Sequence, residues 1–121
     1  MLPSVADVDV RPLSRLFRAL ADETRVRMVM LLSHGELCVC HIENALQLPQ
    51  PTVSRHLGIL RAAAVVDSRR DGTWVYYRLI AQERPELAGV FAGIAQAFAS
   101  QRVLRADLAR LKKSCGPGAC P

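Results

Sequence analysis

The sequence predicts a mainly α-helical domain with one small β-hairpin, in the order α-α-α-α-β-β-α. Three observations carry this prediction. Short amphipathic segments bounded by helix-starting and helix-stopping residues fill the first half. An Asp71-Gly72 pair separates two β-rich runs, and a seven-residue apolar repeat occupies the last third. The 121 residues suffice for one domain, and with half of them hydrophobic the chain can bury a core.

The first helix follows Pro12, which fits a first turn, and carries Leu13, Leu16, Phe17 and Leu20 at helical spacing. Asp22 reads as the N-cap of a second helix, with Glu23 in its first turn, Val26, Val29 and Met30 on its apolar side, and a stop at Gly35. A third short helix covers roughly Val39 to Leu46. Pro51 fits the first position of a fourth, whose Val53, Leu57, Leu60 and Ala64 fall at i, i+4, i+7 and i+11 as one stripe. Val65-Val66 and the run Thr73 to Leu79 read as strands joined at Asp71-Gly72 by a type I′ turn. One long helix is expected from Pro85 to about Lys113. Its Val90, Ile94, Ala97, Gln101, Leu104, Leu108 and Leu111 step by 4, 3, 4, 3, 4, 3, a heptad seam suited to helix-mediated pairing of two chains. The domain is expected over residues 1–113, with 114–121 a mobile, cysteine-containing tail.

No continuous apolar run of about 18 residues occurs, so no membrane partner is expected. The first ten residues carry Asp7 and Asp9 rather than a basic, then apolar, leader, and the expectation is a cytoplasmic protein with reduced thiols. The formal charge of +5, with 14 of 16 cationic residues being Arg, points to an anionic partner. Two short helices around a tight turn, followed by a basic hairpin, form a winged helix-turn-helix pattern, so that partner is expected to be double-stranded DNA. Gln50, Thr52, Ser54, Arg55 and His56 stand near the start of the fourth helix, away from its apolar stripe. Such side chains reach base edges and phosphates in a major groove. Arg69 and Arg70 at the hairpin suit the DNA backbone or the minor groove. No phosphate-cradling glycine loop, Cys-x-x-Cys motif or nucleophile beside a base is legible, and the expectation is a protein that is not an enzyme.

Four segments resemble the ArsR/SmtB family of metal-responsive repressors: Leu16 to Arg25, Glu36-Leu37-Cys38-Val39-Cys40, Gln50 to Leu57 with Leu60-Arg61, and Gly72 to Leu79. The resemblance covers residues 13 to 80. It implies a homodimer, joined through the first and last helices, that leaves an inverted-repeat operator when it binds an ion. It also implies that Cys38-Val39-Cys40 is a metal-binding box like those of arsenic and antimony sensors, or of cadmium and lead sensors. The arsenic-type box commonly has a further cysteine three residues after the second, where this chain has Glu43. The family's other site, zinc held by His and carboxylates on the last helix, is not expected here because that helix contains no His.

Cys38, Cys40, Cys115 and Cys120 are the only thiols, and thiolates select soft ions. On a regular helix, positions i and i+2 diverge by about 200°, so one ion joined to Cys38 and Cys40 is expected to bend or unwind the first turn. Cys115 or Cys120 could complete the site, from the same subunit or across a dimer. The expected inducer is trivalent arsenic or antimony, with no organic cofactor. The alternatives are a cadmium, lead or zinc sensor, with His41 a possible zinc ligand, or a repressor switched by thiol oxidation.

Overall fold

The computed structural model describes residues 10–80 and 85–114, without the side chain of Glu86. Six helices and three strands follow one another as α1 (Arg11–Leu20), α2 (Glu23–Leu32), β1 (Leu37–Cys38), α3 (Val39–Leu46), α4 (Gln50–Ala62), β2 (Val66–Asp71), β3 (Trp74–Leu79), α5 (Pro85–Phe98) and α6 (Arg102–Ser114). The mainly helical winged helix-turn-helix expected from the sequence is present.

Asp22 caps α2 as anticipated, its Oδ1 accepting from the Arg25 amide at 3.1 Å. Residues Met28 to Leu32 are all buried, more than one amphipathic stripe would hide, because α2 is covered on several sides. Val53, Leu57 and Leu60 of α4 are fully buried, as the stripe predicts. Ala64 is not its fourth member. It lies beyond the helix at φ +57, where the Val65 amide donates to the Leu60 carbonyl and the Ala64 amide to that of Arg61. That pairing is a Schellman C-cap, in which the left-handed position usually holds glycine.

Three features differ from expectation. The hairpin loop is Gly72-Thr73, one residue later than read, since Asp71 pairs with Trp74 in the ladder. Gly72 has φ +62 while Thr73 does not adopt a positive φ, the pattern of a type II′ rather than a type I′ turn. A third strand, β1, joins the hairpin, giving the antiparallel order β1-β3-β2 with Leu37 opposite Tyr77 and Cys38 opposite Tyr76. The single last helix is two, α5 and α6, which diverge by 104° across Ala99 to Gln101. No Pro or Gly sits at that break. The cause is tertiary: beyond Gln101, the one polar member of the seam, Leu104, Leu108 and Leu111 pack on the domain's own core.

Asp107 fixes α6 in place. Its carboxylate is 1% exposed and accepts from Arg27 Nε (2.9 Å) and Nη2 (2.8 Å) and from Arg110 Nη2 (2.8 Å). The same two guanidiniums donate to the last carbonyls of α3, Arg110 to Ala45 at 2.6 Å and Arg27 to Leu46 at 3.1 Å. These are carbonyls a helix end leaves without intrahelical partners. No single described helix is long and apolar enough to cross a membrane.

Candidate DNA-reading surface and thiol pair

Helix α3 ends on Gln47 in the left-handed conformation (φ 56, ψ 45), and Leu48-Pro49 lead into α4. That left-handed residue makes the turn of the helix-turn-helix. At the start of α4, Gln50, Ser54 and Arg55 are exposed and Thr52 is half-buried, with Gln50 Nε2 donating to Ser54 Oγ at 2.7 Å. Gln50 and Ser54 lie towards one flank of the helix and Thr52 towards the other, with Arg55 between them, all off the Val53–Leu57–Leu60 stripe.

His56 departs from its expected role. It is 7% exposed, and its Nδ1 lies 3.2 Å from Arg25 Nη1 and 3.9 Å from Asp22 Oδ1. The helical period explains this, because position 56 is three residues after Val53 and four before Leu60, on the flank of the buried stripe. His56 therefore holds α4 to the start of α2 instead of facing DNA. Arg25 extends the anchor by donating from Nε to the Ala19 carbonyl at 2.6 Å.

In the wing, Arg70 is exposed. Arg69 is exposed too, but its guanidinium is held within the protein. Its Nε and Nη2 engage both carboxylate oxygens of Glu36 at 2.6 to 3.0 Å, and its guanidinium carbon lies 4.6 Å from the Tyr76 ring centre. The hydrogen bonds from Arg69, with its charge, hold the Glu36 carboxyl below the ordinary carboxylate value despite partial burial.

Cys38 ends β1 and is the extended N-cap of α3 (φ -69, ψ 146), while Cys40 is the second residue of that helix. Because Cys38 lies outside the helix, the 200° divergence expected for a helical pair does not apply. The two Sγ atoms stand 2.7 Å apart, both as thiols, with Cys38 buried and Cys40 half-buried. The pair is thus assembled in a regular fold, and no unwinding of α3 is needed to bring the sulfurs together. Among the described residues, no three His, Cys, Asp or Glu side chains are grouped to hold a metal ion. Glu43 is half-buried further along α3, and Cys115 and Cys120 lie outside the described residues. The pair fits a thiophilic ion by donor chemistry, and supplies two ligands.

Residues 22–68 match the family described as bacterial regulatory protein, arsR family. The arsenic resistance transcriptional regulator ArsR1 of Pseudomonas putida is 44% identical over 97 residues, 79% of this chain and 74% of that regulator. The chain belongs to the arsR family of bacterial regulatory proteins. The arsenical resistance operon repressor of Escherichia coli is 53% identical to this ArsR-family chain over 66 residues, 54% of the chain and 56% of the repressor. The cadmium resistance regulatory protein CadC of Listeria innocua is 43% identical over 74 residues, 60% of this chain and 62% of that protein. Among solved structures, the homodimeric winged helix-turn-helix DNA-binding domain Mb0332 of Mycobacterium bovis superposes with a TM-score of 0.62 at 26% identity, covering 81% of this chain and 95% of that one. This ArsR-family protein is a DNA-binding transcriptional regulator.

The residues that sequence reasoning missed are Glu36, Tyr76 and Asp107. Glu36 was visible only as a letter of the Cys box. Its partner lies 33 positions away, a pairing that requires the unforeseen strand β1. Asp107 stood among the cations of a helix read as a heptad seam for pairing two chains.

Proposed function

We propose that this chain is a cytoplasmic repressor that leaves its operator when trivalent arsenic, or antimony, is held by the Cys38 and Cys40 thiolates. Cys115 or Cys120 supplies the third thiolate that pyramidal arsenic calls for. The observation that carries this reading is the side-by-side pair of sulfurs, 2.7 Å apart, at the first turn of the helix that leads directly into α4. The similarity to arsenic resistance regulators supports the choice of ion. Gln50, Thr52, Ser54 and Arg55 read the major groove, with Arg70 and Arg69 on the flanking backbone.

The repressor acts as a homodimer on an inverted repeat. Val10, Leu13 and Phe17 about α1, with Phe98 and Val103 near the α5–α6 break, are 39 to 66% exposed. Of these, Phe17, Phe98 and Val103 line an apolar groove of about 540 Å³ between α1, α2 and the last two helices. A surface of that character suits a second copy, and the similar Mb0332 domain is homodimeric.

By linkage, an ion that lowers DNA affinity 5- to 150-fold corresponds to a coupling of about 1–3 kcal/mol. The test is fluorescence anisotropy of a labelled duplex, selected by the protein from a random-sequence pool, with and without arsenite at fixed salt. Arsenite is expected to release wild-type protein, whereas Cys38→Ser binds the duplex normally and does not respond. A Cys38→Ser variant that is induced like wild type would refute the reading. The similarity to CadC favours a second reading, a cadmium sensor using the same thiolates. Release by cadmium at concentrations where arsenite has no effect would select it.

A further inference from the structure

We infer that Glu36 withholds Arg69 from the DNA backbone, so that a phosphate contact of the wing is gated by the strand that carries Cys38. The gate is laid out across one rung of the sheet. Cys38 of β1 pairs with Tyr76 of β3, and Tyr76 pairs with Arg69 of β2. Residues paired in this way project from the same face, and Glu36 immediately precedes β1. Arg69 crosses the rung over the Tyr76 ring and closes on Glu36 with both Nε and Nη2. One edge of its planar fork is thereby fully used, and a phosphate can take that edge only by displacing the carboxylate.

The strength of the pair suits a gate. The Arg69 and Glu36 side chains are 54% and 30% exposed. A solvated pair of this kind is weak enough for a DNA phosphate to compete. Opening it frees the strand ending that leads into Cys38. An ion fastened to Cys38 holds that strand and keeps Arg69 on Glu36. The sensor then acts on DNA through the wing as well as through α4. The link from Glu36 to DNA stands without any ion, whereas the link from the ion to Glu36 rests on the thiolate reading above.

The test measures the salt dependence of binding to the selected duplex for full-length wild type, Glu36→Gln and the double variant Glu36→Gln with Arg69→Gln. Glu36→Gln is expected to bind more tightly and to steepen the slope of log K against log salt by about 0.9 for each wing engaged. The double variant is expected to lose that increment. An unchanged slope in Glu36→Gln, or a steepening that persists in the double variant, overturns the proposal. Circular dichroism melts confirm that the variants are folded. Arsenite is added in a second arm, with near-ultraviolet thiolate–arsenic absorption reporting site loading. Glu36→Gln is expected to keep the absorption while its arsenite-induced release shrinks at least threefold. Undiminished release overturns the link to the ion. If wild type shows no absorption, the thiolate reading fails, and the slopes without arsenite still decide the role of Glu36.

Discussion

Asp22 shows how much one side chain can organise. It caps α2, lies 4.0 Å from Arg25 Nη1, and is near the buried His56 of the reading helix. Burial pushes its pKa up, but the Arg25 amide and the charges of Arg25 and His56 outweigh it, and the net shift is downward. A lowered carboxyl pKa contributes stability that is fully present above the unfolded value, about 3.9, and is lost as pH falls through the folded value. Asp22→Asn, which keeps a capping oxygen, is therefore expected to show a flatter loss of melting temperature below about pH 4 than wild type. Asp22→Ala is expected to be about 1 kcal/mol less stable at neutral pH in urea unfolding. Ala64 carries the opposite prediction. A left-handed non-glycine residue costs about 1–2 kcal/mol, and glycine's extra unfolded freedom returns about 0.5–1 kcal/mol of that. Ala64→Gly is thus expected to raise stability by about 0.5–1 kcal/mol in the same assay.

The elements legible in advance were those whose determinants are local. Asp22 before Glu23, Pro51 at a helix start and the Val53–Leu57–Leu60 stripe each act within a turn or two of chain. The elements that escaped depend on distant partners. β1 is two residues long and exists because β3 offers it an edge, so nothing around Leu37-Cys38 announces a strand. The break at Ala99–Gln101 has no local breaker, and it goes with the packing of α6 on the core and the pairing of Asp107 with Arg27, 80 positions earlier. The candidate site divides the same way. Cys38 and Cys40 stood out by type, but their mutual orientation depended on β1, and with it the mechanism drawn from them. If Asp107 is what docks α6, Asp107→Ala leaves Arg27 and Arg110 without their shared carboxylate. The expected cost is about 3–5 kcal/mol by urea unfolding, as for breaking a buried pair. Asp107→Asn, which retains an acceptor, is expected to lose distinctly less.

At the scale of the molecule, a chain of +5 whose cations are nearly all Arg presents a reading helix and a wing, with an apolar surface elsewhere. Phe17, 58% exposed on α1 and bordering the groove, is the side chain on which a second copy would depend most. Phe17→Glu is expected to shift the mass in analytical ultracentrifugation from twice the 13.3 kDa of one chain to that of a single chain. Duplex binding is expected to weaken at least tenfold, because one half-site alone retains only half of the contacts.

The pre-assembled sulfurs have a consequence for signalling. A ligand moves an equilibrium only by the difference between its affinities for the two states. Two thiols already side by side favour capture of an arriving ion, and the message depends on what that ion does to β1 and to the chain beyond the pair. Under the thiolate reading, a third donor, Cys115 or Cys120, adds to that message. The pair determines how little arsenic can be caught, and the movement imposed beyond the pair determines whether catching it changes anything.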